Sequence, residues 1–569
     1  MSSTSYIMKY IYISLFFISC AVSAQQTLFF NGKVFTGNKK QPFANAILIT
    51  NQKISAVGDL KMVEKCIEKS AKKIDLKGGS VLPGLIDSHI HAIDGGETLT
   101  KPNLVDQTIS IRELTDYVLG LLHRQEGLTG GVLDIYGLNI STWSSLDSVV
   151  SVFNKGEFST VPVFLRGSDG HTAWANTALL LKANINKQYI DNQPEGLQKY
   201  FRRLPGGEPT GFVAEDAVGK VAAAIPDQTN WTLAAEKAMN HLSSLGITAW
   251  LDPSAGNTRS DSGLLLNAYA SLYQTGKLHA HVVATIVADA DANPVPQINM
   301  VKAIQQKFHH EDFKVKGFKI FADGVVEFPT QTAAISIPYT GTGKSGVLMF
   351  DPGNFARFAT ASDSAGLLVH VHAIGDRAVT ETLNGFEKVR ASNHQQLLPH
   401  SITHLQLVLP KDFTRFKSLN ILASLQLLWA FGDVTTIDIV KPYIDPALYR
   451  WQYPAKSLLK AGAVIAGASD WPVSSANPFE AISHAETRKG DLGVLDPKEC
   501  LPRINMFYGY TIEAARVMWM DKEIGSLEPG KFADMVLVDR DVFTVSPESL
   551  SESKIEWTMF KGQVIYRRQ

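Results

Sequence analysis

The sequence predicts an α/β protein: a (β/α)8 barrel of the TIM type, with a small β-sandwich built from both chain ends and an insertion after the first barrel strand. Three observations predict this fold. Apolar runs alternate with helical patterns eight times along the middle of the chain. Histidines and one aspartate recur where those runs end, which is where such barrels carry their chemistry. Short β-rich runs stand at both termini.

Residues 1–24 read as an export signal. Lys9 leads into the apolar stretch Ile11 to Ile18, and Val22-Ser23-Ala24 is a cleavage box that leaves Gln25 as the new terminus. That stretch is much shorter than the roughly 20 residues of a bilayer-spanning helix, so cleavage is expected and no transmembrane helix after it. A lipoprotein acylated at Cys20 is the weaker alternative, because Phe17-Ile18-Ser19 matches the usual preceding box poorly. Both readings put the mature protein outside the cytoplasm, in the periplasm or the medium.

Residues 25–83 are expected to form the first part of the β-sandwich. Leu28-Phe29-Phe30, Ala46 to Ile49 and Lys53 to Val57 alternate with turn pairs such as Asn31-Gly32. Residues 521–569 supply the second part, through Ala533 to Asp539 and Lys561 to Tyr566. The barrel is expected over 84–520. Its eight apolar runs end at His89/His91, Leu251-Asp252, Ile286, Phe321, His372, His404, Gln426 and Ser469-Asp470. Helical patterns such as Leu264 to Leu272 and Phe355 to Ala365 separate several of them. Roughly 150 residues part the first run from the second, far beyond a loop, so an insertion at about 96–235 has structure of its own. It holds a helix near Ile111 to Arg124 and the β-like Val161 to Arg166.

Composition narrows the function. The 569 residues carry 54 Lys+Arg against 55 Asp+Glu, a formal net charge of −1, so neither nucleic acid nor an anionic membrane is an expected partner. Hydrophobic content of 45% and 43 glycines fit a large globular enzyme with many tight turns. The three cysteines, Cys20, Cys66 and Cys500, have neither metal-ligand spacing nor disulfide parity. The expected partner is a small-molecule substrate, and a homo-oligomer is compatible with everything above.

The histidines carry the chemistry. His89 and His91 lie two apart, a spacing that puts both imidazoles on one face of a strand. His372, His404 and Asp470 close three later runs. Imidazoles and carboxylates suit zinc, and zinc lowers the pKa of a bound water to about 7, which supplies a nucleophile for hydrolysis at neutral pH. A single such histidine is ordinarily structural; five such residues in barrel order point to a metal site.

Four other features are set aside from the ligand set. Gly341-Thr342-Gly343-Lys344-Ser345 resembles a phosphate loop, yet Pro338 occupies the first glycine's place and no helical pattern follows. His279-Ala280-His281 opens a strand, which places it at the non-catalytic end of the barrel. His370 lies one pleat below His372 and is expected to support a ligand, while Asp376 is expected to cap the helix that follows.

Taken in order, Pro83 to His91, Asp169-Gly170-His171, Gly207 to Gly211, Lys319 to Gly324, His372 to Ala378, Ser469 to Pro472 and Gly525 to Lys531 resemble the amidohydrolase superfamily. The resemblance is to its amidohydrolase-3 branch of YtcJ-like and N-substituted formamide deformylase-like metal-dependent hydrolases, over nearly the whole mature chain. It implies one or two divalent metals, zinc by expectation. His89 and His91 would hold the more buried ion, His372 and His404 the more exposed one, and Lys319 would bridge them as an N6-carboxylysine. Without that modification, Lys319 would pair with an acid such as Asp323. Asp470 would ligate metal and act as general base. His171, Asp169, Trp174 and Asn176 would contact substrate from the insertion, unless Trp174 is core and Asp169-Gly170 merely a turn. Trp471 would wall the pocket or join the core. The chain departs from its relatives at Leu251-Asp252, where His-Asp is frequent, and at Leu427-Leu428-Trp429, where a proline and a histidine are frequent.

The implied function is hydrolysis of a non-peptide carbon–nitrogen bond (amide, formamide or cyclic amide) by metal-activated water, outside the cytoplasm. An esterase or phosphotriesterase on the same metal centre is the alternative chemistry. A non-catalytic metal- or ligand-binding protein is the alternative class, though it has no need of the base Asp470.

Overall fold

The computed structural model describes residues 25–226, 229–258, 263–393 and 398–569. The expected export signal and Cys20 lie outside the described residues.

Eight parallel strands form the barrel, paired in sequence order: Leu85–Asp87, Ile247–Asp252, His281–Val287, Phe313–Phe321, Leu368–Ala373, His400–His404, Ile421–Leu425 and Ile465–Gly467. Most of their residues are buried on both faces, because helices cover the outside and side chains fill the inside. Hydrogen bonds from Ser88 N to Gly467 O (3.0 Å) and from Asp470 N to His89 O (2.8 Å) bring the first and last strands together. A helix follows every strand. Several begin with an Asn or Asp cap and a proline in the first turn, as at Asn293-Pro294, Asp351-Pro352 and Asn477-Pro478, where the missing proline N–H costs nothing.

The first barrel strand is shorter than its sequence suggests. It stops at Asp87, and His89 and His91 lie in the segment that leads into helix Ala92–Thr98. The cause is a buried carboxylate: Asp87 accepts from the amides of His89 (3.0 Å) and Ser469 (3.1 Å), which turns the chain out of the sheet. Asp470 likewise lies beyond its strand, which ends at Gly467.

Strands from both chain ends make one hydrogen-bonded eight-stranded sheet. Its seam is Ser80–Pro83, parallel to Gln26–Phe35 on one side and antiparallel to Met535–Val538 on the other. Asn31-Gly32 is not a hairpin turn. It is an irregularity inside the single strand Gln26–Phe35, where the register shifts between Phe30 and Val34. From this sheet the chain passes straight into the barrel through Gly84. A Cβ there would lie 2.1 Å from Thr248 Oγ1, so only glycine fits.

After helix Ala92–Thr98 the chain builds a separate six-stranded sheet in the order Phe201–Arg203, Pro209–Ala214, Thr172–Ala175, Val163–Gly167, Val132–Leu138 and Leu128–Thr129. Its helix Ile111–Arg124 starts at a capping box between Ser110 and Glu113. Residues of this unit face the barrel mouth, which turns an open rim into a cavity of about 660 Å³.

Candidate metal centre

Five barrel strands, the first, fourth, fifth, sixth and eighth, bring the predicted donors to one end of the barrel. His89 Nε2 and His91 Nε2 lie 3.2 and 3.3 Å from Asp470 Oδ1. Donor atoms of His89, His404 and Asp470 all fall within 4.8 Å of one another. Lys319 Nζ, on the fourth strand, is 3.4 Å from His89 Nε2. The His372 and His404 rings meet edge to face, 4.4 Å between centroids. Asp470 and His404 both hold positive φ, 58° and 74°, which side chains disfavour and which clusters at functional sites.

The partners of each ring show which nitrogen is available. His370 Nε2 lies 2.6 Å from His89 Nδ1, and His370 Nδ1 lies 2.6 Å from Ser401 Oγ. His370 therefore orients His89 so that Nε2 faces the centre, the supporting role expected from its position one pleat down. Ser254 Oγ, 2.9 Å from His91 Nδ1, does the same for His91. His372 differs: its Nε2 lies 3.2 Å from the Gly324 carbonyl, turned from the cluster of His89, His404 and Asp470.

Two buried atoms at the centre, His404 Nδ1 and Asp470 Oδ1, have no hydrogen-bond partner. A buried polar atom left unpaired costs free energy, and a bound cation removes that cost. Three of the four imidazoles are also in the state a cation requires; His91 is the exception, since burial opposes protonation there but contact with Asp470 outweighs it and raises the pKa. Burial, reinforced by the Lys319 charge, holds the pKa of His89 far below its usual value and that of His372 at about 3. Burial does the same for His404. Their rings are neutral at pH 7, with lone pairs free. For Asp470, burial works against ionisation, but the contact with His91, helped by Lys319, outweighs it and keeps the carboxylate charged. The residues present therefore fit a divalent metal. Burial also pushes the Lys319 ammonium down to about 7, against a smaller opposing pull from Asp470.

Lys319 does not pair with Asp323. The Asp323 carboxylate accepts from the amides of Ala334 (2.9 Å), Ile374 (2.9 Å) and Gly375 (2.8 Å), which ties the loops after strands four and five together.

The cavity opens over this centre and is lined among others by His171, His372, His404, Trp429, Asp470 and Trp471. Trp429 stacks on His404 at 10° and 5.8 Å. Trp471 packs against Gly95 and the ring of His241, with one edge in the cavity.

The insertion residues divide. His171 reaches the cavity, and Asp169 lines it. Asp169 Oδ1 is occupied by the amides of His171 (3.0 Å) and Thr172 (2.9 Å), so it also holds the turn. Trp174 and Asn176 do not line the cavity. Trp174 is fully buried in the insertion's core, its Nε1 donating to Thr210 O at 3.0 Å. Asn176 is equally buried; it caps helix Thr177–Lys182 and donates to the carbonyls of Phe158 and Val161. Trp174 stands on a strand whose two faces are covered and Asn176 lies just beyond its end, so being close in sequence to His171 does not bring them to the cavity. Asp376 is not the cap of its helix either. Gly375 holds that place, and Asp376 in the first turn accepts from Ser336 N at 3.0 Å. His281, by contrast, opens the third strand as expected, away from the metal centre.

Sequence reasoning missed Glu215, Ser254 and Asp87. Each acts through a hydrogen bond to a distant residue, and none stands in a spacing that betrays it.

The amidohydrolase family model matches residues 72–566, and the chain belongs to that family. It is 28% identical over 546 residues to the protein LONG AFTER FAR-RED 3 of Arabidopsis thaliana, covering 94% of this chain and 91% of that one. It is 24% identical over 560 residues to the N-substituted formamide deformylase of Arthrobacter pascens, covering 95% and 98%. The crystal structure of an uncharacterized metal-dependent hydrolase from Pyrococcus horikoshii superposes with a TM-score of 0.69 at 24% identity, over 92% of this chain and 99% of that one. Family, fold and donor set together define a metal-dependent hydrolase acting on a small molecule. Among the described residues, no helix is long and apolar enough to cross a membrane.

Proposed function

We propose that this protein hydrolyses a non-peptide carbon–nitrogen bond, in an amide, formamide or cyclic amide, outside the cytoplasm. The observation that carries the reading is the pair of buried, unpartnered atoms His404 Nδ1 and Asp470 Oδ1 beside the Nε2 atoms of His89 and His91. The likeness to an N-substituted formamide deformylase along nearly the whole chain supports the bond type.

His89, His91, His404 and Asp470 would hold the ion, with His372 completing a second position after its ring turns from Gly324. A set this rich in imidazole suits zinc. When bound, the metal would acidify a water and polarise the scissile group. Asp470 takes the proton of the attacking water and passes it to the leaving nitrogen, so that the amine departs neutral. His370 and Ser254 keep the His89 and His91 rings aimed while this happens. Lys319, with a pKa near 7, is neutral often enough to add carbon dioxide and become a carbamate, an anionic oxygen donor that a free ammonium cannot be.

The test is a substrate panel with the purified, zinc-reconstituted protein. Release of an amine and an acid from amides, N-substituted formamides or cyclic amides supports the reading. Cleavage of esters or phosphotriesters alone assigns the other chemistry, and stoichiometric zinc with no hydrolysis makes the protein a binder. The mass of the mature protein should correspond to a chain that starts at Gln25; a retained leader or an acylated Cys20 would overturn the simple export reading.

A further inference from the structure

Beside the metal donors, His171 lines the cavity in contact with Glu215, a residue for which no role has yet been given. His171 Nδ1 is 2.8 Å from Glu215 Oε2. The other carboxylate oxygen, Oε1, accepts from Thr332 Oγ1 at 2.7 Å, and the Glu215 amide donates to the His171 carbonyl at 2.8 Å. Both partners are thus held at the backbone and at the side chain.

The cost of this arrangement argues that it is used. Glu215 sits at φ 47°, ψ −133°, a region that residues with side chains avoid at a cost on the order of 1–3 kcal/mol. Space for it exists only because residue 324 is glycine: a Cβ there would lie 2.5 Å from Glu215 Oε1 and 2.1 Å from Thr332 Oγ1. The same Gly324 offers its carbonyl to His372 Nε2 at 3.2 Å. The pair is therefore locked onto the loop after the fourth barrel strand, and the His171 ring lies 5.8 Å from that of His372.

A carboxylate only accepts hydrogen bonds, so the proton of the Glu215 contact resides on His171 Nδ1. Nε2 is the nitrogen left over; it makes no hydrogen bond to any described residue, and His171 lines the cavity. We propose that Glu215 and His171 work as a dyad: Glu215 is a positioning residue that fixes the direction of the His171 ring, and His171 Nε2 hydrogen-bonds the reacting group of the substrate. The arrangement repeats the logic by which a buried carboxylate orients a catalytic histidine, here on an insertion rather than on the barrel. This role rests on the hydrolytic reading above.

The experiment uses the zinc-loaded protein and the member of the amide and formamide panel that it turns over fastest. His171→Ala and Glu215→Ala should each lower kcat by about 10²-fold with KM changed less than about threefold, at unchanged zinc content. The double variant should be no slower than the slower single one, and Glu215→Gln, which keeps an acceptor for Nδ1, should recover part of the rate. Losses that multiply in the double variant, or a kcat within about twofold of wild type in either single variant, would overturn the dyad. A second measurement needs no substrate and no variant of Glu215. In protein labelled with ¹⁵N-histidine, with His171 assigned by its loss in His171→Ala, Nδ1 should carry hydrogen; an unprotonated Nδ1 overturns the proposal. Because this second arm is independent of turnover, a wild-type protein inactive on the whole panel would count against the hydrolytic reading, while the ring signal still decides the dyad.

Discussion

Asp470 joins two demands in one side chain, since Oδ1 is 3.2 Å from His89 Nε2 and 3.3 Å from His91 Nε2 yet has no hydrogen-bond partner of its own. Replacing it by asparagine keeps the volume and removes the charge and the basicity. Asp470→Asn should lower kcat by about 10²-fold or more, while the bound zinc measured by mass spectrometry stays at the wild-type stoichiometry through the remaining imidazoles. A near-normal rate would remove Asp470 from the role of base. At this scale the sequence was informative where spacing and residue type coincide, as in His89 and His91. It misled where only proximity along the chain was available. Trp174 and Asn176 stand three and five residues beyond His171, but strand pleating and helix capping send them into the insertion's core.

Among the elements, the junction of the terminal sheet and the barrel carries a charge cluster far from the metal centre. His281 opens the third strand with Nδ1 3.0 Å from Asp312 and Nε2 3.0 Å from Asp534. Lys561 reaches Asp312 at 2.6 Å and stacks over Phe532. Burial alone would lower the His281 pKa, but the two aspartates outweigh it and raise the pKa; Asp312, for which burial acts in the opposite sense, is lowered by His281 and Lys561. The signs set a window. The histidine contribution is complete below its unfolded value of 6.5 and fades as pH rises through the higher folded value. The Asp312 contribution is complete above 3.8 and fades as pH falls through the lower folded value. Melting temperature plotted against pH should therefore decline above about 6.5, and His281→Asn should flatten that decline. An unchanged slope in the variant would show that other groups set it. The sequence placed His281 at the correct end of the barrel, yet its partners come from residues 31 and 253 positions further on, a contact that no local pattern announces.

Over the whole molecule, metal binding should couple to stability, because the donors come from the first, sixth and eighth strands and an ion would tie them together. An ion present at about 1,000 times its dissociation constant stabilises the folded state by about 4 kcal/mol. Chelation should lower the melting temperature, and zinc should restore it where magnesium does not, since imidazole donors suit zinc better than hard cations. A melting temperature indifferent to chelator would mean that no metal is held there. Local reading of the sequence was enough for the class of fold, the repeat of strand and helix, and a candidate metal cluster that includes His89, His404 and Asp470, because burial and barrel geometry impose periodicities that are read locally. Only the tertiary structure decided that His89 and His91 leave the sheet at Asp87, that His370 and Ser254 orient the ligands, and that Glu215 meets His171. Those facts depend on hydrogen bonds between residues that are in some cases hundreds of positions apart, and such bonds leave no period in a sequence.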